Sequence, residues 1–450
     1  MRVHFISIGG AIMHNLAIAL KEKGYAVSGS DDEIFDPAKS RLDAHGLLPK
    51  EKGWFPSKIT RETDAIILGM HAKKDNPELL KAQQLGTKIY SFPEFVFLNS
   101  TDKIRVAIAG SHGKTTITSM IMHVLRKAGY DFDYMVGSSV KGFEHSFRLT
   151  EKARYIILEA DEYLSSALNP EPKFLWYKPQ IAVISGIAWD HANVFPTYEI
   201  YKEQFRKFIA SMPSSASLFY HADDKDLSEL VKEGEHINKT GYSYPDYSLK
   251  NGGFVLHHAH DKETSLHING KHNLLNVESA RLVCESLGID NDTFYEAISD
   301  FEGAGKRLER IYEKNNFIIF RDFAHAPSKV KATISGVREQ FPDKRIVACL
   351  ELHTYSSLNR TFLPEYRSST EDADIILVYI DKKAVELKSM ELLSEDEVQH
   401  FFNDKRIKVL YSTDSLINTL QNQKMDNSVL LMMSSGNFGN LDIQQTFEIR

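Results

Sequence analysis

The sequence predicts an α/β chain of three domains. Short β-branched runs alternate with longer amphipathic stretches over most of its length. Such alternation builds βαβ units around parallel sheets. The chain has 450 residues, which corresponds to about three domains at roughly 150 residues each. Its composition, 42% hydrophobic and 26% charged, is that of a globular chain with material for several cores.

The first unit covers residues 1–101. Val3–Ile8 reads as a strand and His14–Lys23 as a helix stopped by Gly24; Ala26–Ser30, Ala65–Leu68 and Lys88–Tyr90 read as further strands. Asn99-Ser100-Thr101 closes the unit. The second unit, 102–312, opens with the apolar run Ile104–Ala109. A Gly-rich turn follows, then a helix from about Thr115 to Lys127, ended by Gly129. Strands are expected at Tyr155–Leu158 and Ile181–Ile184, hairpins and loops between about Gly234 and Gly270, and a helix over Leu274–Leu287. The third unit, 313–450, carries strand candidates at Phe317–Phe320, Arg345–Leu350, Asp374–Val378 and Val429–Met433.

The formal net charge is −7, and no basic stripe of the kind that coats nucleic acid is visible. Lys73-Lys74 and Lys382-Lys383 read as solvated faces. No run approaches the ~18 apolar residues of a membrane span. Gly9-Gly10, His14 and Asn15 interrupt the apolar N-terminus, so a strand–turn–helix unit is expected there instead of a signal peptide. The two cysteines, Cys284 and Cys349, lie in apolar runs and read as buried free thiols. A cytoplasmic protein without membrane insertion is expected; no oligomeric state follows.

The strongest local motif is Gly110-Ser111-His112-Gly113-Lys114-Thr115-Thr116, between a predicted strand and a predicted helix. Glycines let backbone N–H groups close around phosphate oxygens, and the helix N-terminus adds a favourable dipole. Lys114 would neutralise the β- and γ-phosphates; Thr115 or Thr116 would place a hydroxyl on Mg²⁺. Two residues separate the glycines, where the generic phosphate loop has four. The bland alternative is a chance Gly-rich turn. The loop implies a nucleotide and no particular reaction.

Downstream, Glu159-Ala160-Asp161-Glu162 follows the strand Tyr155–Leu158, and Asp190-His191 follows Ile181–Ile184. Carboxylates and an imidazole beyond strand C-termini suit a divalent metal beside the loop. Taken alone, Glu162 reads as a solvated acid and His191 as a structural histidine.

Taken in order, these motifs resemble the Mur ligases, which assemble the peptide of bacterial peptidoglycan. The resemblance rests on Gly110–Thr115, Glu159–Glu162, Asp190-His191, the segment Gly270-Lys271-His272-Asn273-Leu274-Leu275-Asn276, and Asp322-Phe323-Ala324-His325-Ala326-Pro327. It implies a Rossmann-like UDP-sugar-binding domain (1–101), a central P-loop ATPase-type α/β domain (102–312) and a Rossmann-like C-terminal domain for the amine substrate (313–450). It implies ATP and Mg²⁺. Lys114 and Thr115 would hold them, with Glu159 and His191 as metal ligands. Asn276 would contact adenine, Asp322 the nucleotide, and Arg307, within Gly303–Arg307, the phosphates. His325 is the candidate base for the amine.

Gly9 and Gly10 resemble the family's UDP-binding turn, although Ser7 and Ile12 stand where glycines are usual. Asp31 and His71 fall at sugar-nucleotide positions. Gly186 and Ala188 replace the family's asparagine and acid, and no lysine matches the carbamylated one of some relatives, although Lys202 and Lys207 lie nearby.

The implied reaction is ADP-forming ligation of the UDP-N-acetylmuramate carboxylate to an amine, through an acyl phosphate. Two branches share that acceptor. One adds L-alanine; the other adds a recycled murein tripeptide. Tyr163, Lys173-Phe174, Tyr177 and Pro179, the longer Glu159-to-His191 spacing and Met432–Gly439 resemble the tripeptide branch, whereas Glu351–Ser356 resembles the alanine branch. Asn437 and its loop are candidates for the amine site. Other readings are a folylpolyglutamate or cyanophycin-type ligase, a nicotinamide-dependent oxidoreductase and a non-catalytic nucleotide-binding regulator.

Overall fold

A computed structural model describes all residues except 71, 167, 193, 251, 260, 306 and 448–450. The expected substrate contact His71 therefore lies outside the described residues. The chain forms two compact units: Met1–Ile187 with Lys202–Tyr242 and Ser279–Phe294, and Ala188–Tyr201 with Ser243–Glu278 and Tyr295–Arg450.

The first unit holds two sheets. The N-terminal sheet is parallel, in the order Ala26–Ser30, Arg2–Ile6, Ala65–Leu68, Lys88–Ser91. Ala65–Leu68 is buried throughout, as a strand covered on both faces must be. Local chemistry sets its helix starts. Asn76 accepts from the backbone N–H groups of Glu78 and Leu79, with Pro77 following, and Ser91 forms a capping box with Glu94.

The second sheet has seven strands: Asn238–Tyr242, Ser217–His221, Ile181–Ile184, Ile104–Ala109, Tyr155–Glu159, Phe132–Met135 and Phe147–Arg148. All neighbours are parallel except the last pair. Ile104–Ala109 lies mid-sheet, so the turn after it opens at the carboxyl end of the strands, where open α/β sheets bind ligands. The Gly234–Gly270 stretch departs in part from the expected hairpins. Asn238–Tyr242 extends the parallel sheet as an edge strand, exposed except at Tyr242. Such a strand carries no apolar alternation to reveal it.

The second unit contains an antiparallel three-stranded sheet, Tyr247–Lys250, Gly253–His258 and Lys262–Ser265. It also contains a six-stranded sheet: Glu309–Lys314, Phe317–Asp322, Ser428–Met433, Arg345–Glu351, Ile375–Tyr379 and Ile407–Leu410. Only its first pair is antiparallel. That hairpin turns on Asn315-Asn316, both at positive φ (51° and 65°), the two-residue geometry whose twist matches its strands. Cys284 and Cys349 are free and buried. Among the described residues no helix is long and apolar enough to cross a membrane.

Candidate active site

The phosphate loop runs from the end of Ile104–Ala109 into the helix Lys114–Lys127. Gly110 has φ 118°, and a Cβ there would lie 2.7 Å from the Ser185 backbone nitrogen. Only glycine fits. Gly113 caps the helix at φ 71° with no side-chain hydrogen bond, and the helix N-terminus that follows favours an anion. Ser111 pins the loop to the next strand: its N–H and its hydroxyl donate to the Gly186 carbonyl at 2.9 and 3.0 Å. The Ser185 hydroxyl donates to the His112 carbonyl.

The charges converge on Lys114. Its ammonium donates to Glu162 at 2.6 Å and to the Gly110 carbonyl at 2.7 Å. Burial opposes the charge, but Glu162, Asp161 and Glu159 outweigh it and push Lys114 up to about 12. Glu162 is fully buried, contrary to a solvated loop acid. Thr115 donates to one Glu159 oxygen at 2.8 Å, and the Gly137 N–H donates to the other at 2.6 Å. Asp161 pairs with Lys173 at 2.8 Å. Thr116 is buried behind the loop. The glycine cradle and the hydroxyl–carboxylate pair Thr115–Glu159 fit a nucleotide phosphate and a hard divalent cation.

Asp190, His191, Asn276, Arg307, Asp322 and His325 belong to the second unit. Asp190 is buried and accepts from Lys329 at 2.9 Å. Burial opposes its ionisation, but Lys329, His191 and His325 outweigh it and hold the carboxyl well below its usual value. His191 takes φ 55°, its N–H bonded to Asp190 at 2.8 Å. His325 donates from Nδ1 to the Phe323 carbonyl at 2.8 Å; burial and then Lys329 push it down to about 3.

Both Asp322 oxygens are engaged: one accepts from the N–H groups of Leu308 and Phe323 at 3.0 and 2.8 Å, the other from the Thr333 hydroxyl at 2.6 Å. Arg307 lies over the Phe323 ring at 4.4 Å. Asn276 is buried and donates to Asn273 at 2.7 Å. Lys329 escaped the sequence reading, although it stands two residues beyond Pro327 at the start of the helix Pro327–Gln340.

Three family models cover this arrangement: Mur ligase family, catalytic domain, at residues 2–97; Mur ligase middle domain at 108–284; and Mur ligase, glutamate ligase domain, at 306–436. A UDP-N-acetylmuramate–L-alanine ligase of Caldicellulosiruptor bescii is 34% identical over 391 residues, 83% of this chain and 82% of that protein. The chain belongs to the Mur ligase family. It is an ATP-dependent ligase that forms a C–N bond, as members of this family are.

Two solved structures share the fold. A murein peptide ligase from Psychrobacter arcticus matches with TM-score 0.70 at 24% identity, over 100% of this chain and 98% of that one. The UDP-N-acetylmuramate:L-alanyl-γ-D-glutamyl-meso-diaminopimelate ligase from Neisseria meningitides matches with TM-score 0.61 at 25% identity, over 67% of this chain and 98% of that one.

This Mur ligase departs from the usual glycines of its N-terminal turn with visible consequences. Ser7 adopts φ 71°, a conformation that costs a non-glycine residue free energy. The Gly9 N–H donates to Asp31 at 2.7 Å. Burial, and then Asp32, raise Asp31 to about 6. Gly10 accepts at its carbonyl from the His14 backbone N–H at 3.1 Å, opening the helix Met13–Glu22. Gly186, in place of the family's asparagine, takes φ 147°.

In the C-terminal sheet, Glu351 is buried and accepts from the Ser434 hydroxyl and, at 3.0 Å, from the Phe438 N–H. A Cβ on Gly436 would lie 2.8 Å from Glu351 Oε2 and 3.2 Å from the His353 ring. Asn437 is spent within the loop, donating to Asn440 at 2.7 Å. The loop that carries Asn437 is held by Glu351, the acid that ends the strand Arg345–Glu351.

Proposed function

We propose that this ligase joins the carboxylate of UDP-N-acetylmuramate to the amine of a recycled murein tripeptide. The observation that carries the branch is the set of contacts made by Asp161, Leu164, Pro172, Lys173 and Tyr177. Leu164 bridges Pro172, Lys173 pairs with Asp161, and Tyr177 is fully buried with its carbonyl accepting from Arg105 at 2.8 Å. This is the insertion whose sequence resembles the tripeptide branch, and it directly follows Glu159–Glu162. Ligation of L-alanine is the second reading, favoured by the 34% identical relative.

The loop of Gly110, Ser111, His112, Gly113, Lys114, Thr115 and Thr116 suits the phosphates of ATP, and the family resemblance assigns Asn276, Arg307 and Asp322 to the nucleotide as well. Thr115, Glu159 and His191 would hold Mg²⁺. When bound, Mg²⁺ neutralises charge on the phosphates and orients them for in-line transfer. A muramate carboxylate oxygen forms a bond to the γ-phosphorus as the bond to the β-bridging oxygen breaks, giving an acyl phosphate and ADP. Lys114 and the first-turn N–H groups stabilise charge on the transferring group. The amine nitrogen then forms the amide bond, phosphate leaves, and the amine gives up a proton. His325, neutral near pH 7 and donating through Nδ1, presents Nε2 as an acceptor to that amine. Gly9, Gly10, Asp31 and His71 serve the UDP-sugar, and the Glu351 loop the amine.

Phosphate release from Mg²⁺-ATP with UDP-N-acetylmuramate, compared between L-alanine and the tripeptide, tests the reading. A higher kcat/KM for the tripeptide supports it; a higher value for L-alanine replaces it with the second reading.

A further inference from the structure

Away from the phosphate loop, three side chains of the first unit converge. Glu22 ends the helix Met13–Glu22, His45 directly follows the helix Ala38–Ala44, and His145 precedes the strand Phe147–Arg148 of the seven-stranded sheet. The Nε2 atoms of His45 and His145 lie 3.8 and 3.9 Å from Glu22 Oε1, and all three atoms fall within 4.8 Å of one another. The Glu144 carboxylate stands 4.0 Å from His145 Nε2.

These separations are too long for hydrogen bonds. They lie close to the ligand-to-ligand spacing around a tetrahedral ion: bonds of about 2.0–2.1 Å put neighbouring ligands about 3.4 Å apart. Closing the difference takes roughly half an ångström, less than one rotation of a glutamate side chain, and Glu22 is 55% exposed.

Two further observations favour an ion over a chance meeting. His45 Nδ1 lies 2.8 Å from the Arg41 carbonyl. Nδ1 is therefore the protonated nitrogen, and Nε2 offers its lone pair to the cluster, the second-shell arrangement of metal-ligating histidines. Lys21 donates to the His45 carbonyl, fixing the residue against the end of the first helix. On the other ring, His145 Nδ1 is buried with no hydrogen-bond partner among the described residues. The rings meet edge to face at 5.6 Å, which leaves both Nε2 atoms directed toward the same carboxylate.

We propose that Glu22, His45 and His145, with Glu144 or water as fourth ligand, form a site for a borderline divalent ion of the Zn²⁺ class. Two imidazoles select such an ion over Mg²⁺ or Ca²⁺, which prefer all-oxygen shells. The ion ties two helices of the N-terminal sheet to the central sheet, and it is separate from the Mg²⁺ of the phosphate loop.

The test is Zn²⁺ binding to the full chain, stripped of metal by chelator and dialysed against Zn²⁺ in excess Mg²⁺. Wild type binds one Zn²⁺ per chain under these conditions. His45→Ala and His145→Ala each weaken that binding on the order of a hundredfold or more, while ligase turnover with Mg²⁺-ATP is unchanged. Absence of bound Zn²⁺ in wild type, or undiminished binding in the His45→Ala/His145→Ala double variant, overturns the proposal. Should the variants not fold, the unaltered chain decides: with Co²⁺ it shows the visible ligand-field bands of a four-coordinate nitrogen–oxygen site, and their absence overturns the proposal equally.

Discussion

Replacing Lys114 by methionine separates the lysine's structural charge from its work on ATP. Its ammonium sits 2.6 Å from Glu162, whose carboxylate is fully buried. The lysine is raised from 10.5 to about 12. About 1.5 units at about 1.36 kcal/mol each is about 2 kcal/mol in favour of the charged folded form. Because the folded value is the higher one, this stabilisation is complete below pH 10.5 and is lost as pH rises through about 12.

Lys114→Met therefore destabilises the protein near neutral pH, and stranding the buried Glu162 carboxylate makes the loss about 3–5 kcal/mol. Adding Glu162→Gln removes the stranded charge, so the double variant is more stable than Lys114→Met alone. The assay is a double-mutant cycle by urea unfolding without nucleotide, with slopes checked for constancy. Strict additivity, or a Lys114→Met loss under about 0.5 kcal/mol, refutes the charge arrangement.

Gly110→Ala meets the Ser185 backbone at 2.7 Å with φ 118° and should cost about 1–3 kcal/mol in backbone strain together with ATP binding by calorimetry; Gly86→Ala, at φ 70° with nothing near its Cβ, strains its helix end but leaves ATP binding intact. His191→Ala should raise the Mg²⁺ concentration for half-maximal turnover; an unchanged Mg²⁺ curve removes the histidine from the metal shell. Asp190 is depressed below its usual 3.8, so its stabilisation is present above that value and lost as pH falls through the lower folded value. Asp190→Asn should accordingly be less stable than wild type near neutral pH and converge toward it in acid, read from unfolding midpoints against pH.

The sequence made the sheet centres legible and left the edges obscure. Ala65–Leu68 and Ile181–Ile184 are continuous apolar runs, and Ile104–Ala109 is broken only by Arg105, because both their faces are covered; their limits match the structure residue for residue. Asn238–Tyr242, Glu309–Lys314 and Phe147–Arg148 are edge strands whose polar or short sequences carry no such pattern. In the candidate site, the glycines and Lys114 were readable because the loop confines them to consecutive positions. The Glu162 partner of Lys114 and the Lys329 partner of Asp190 are separated from them by 48 and 139 residues. No local spacing encodes those pairs; only the fold brings them together.

The most direct measurement is the product formed when UDP-N-acetylmuramate, Mg²⁺-ATP, L-alanine and the tripeptide are supplied together and the muramyl nucleotides are separated by mass. The account predicts UDP-N-acetylmuramoyl-tripeptide, with one ADP and one phosphate formed per amide bond. UDP-N-acetylmuramoyl-alanine as the dominant product, or ATP consumption with no muramyl amide, would contradict it.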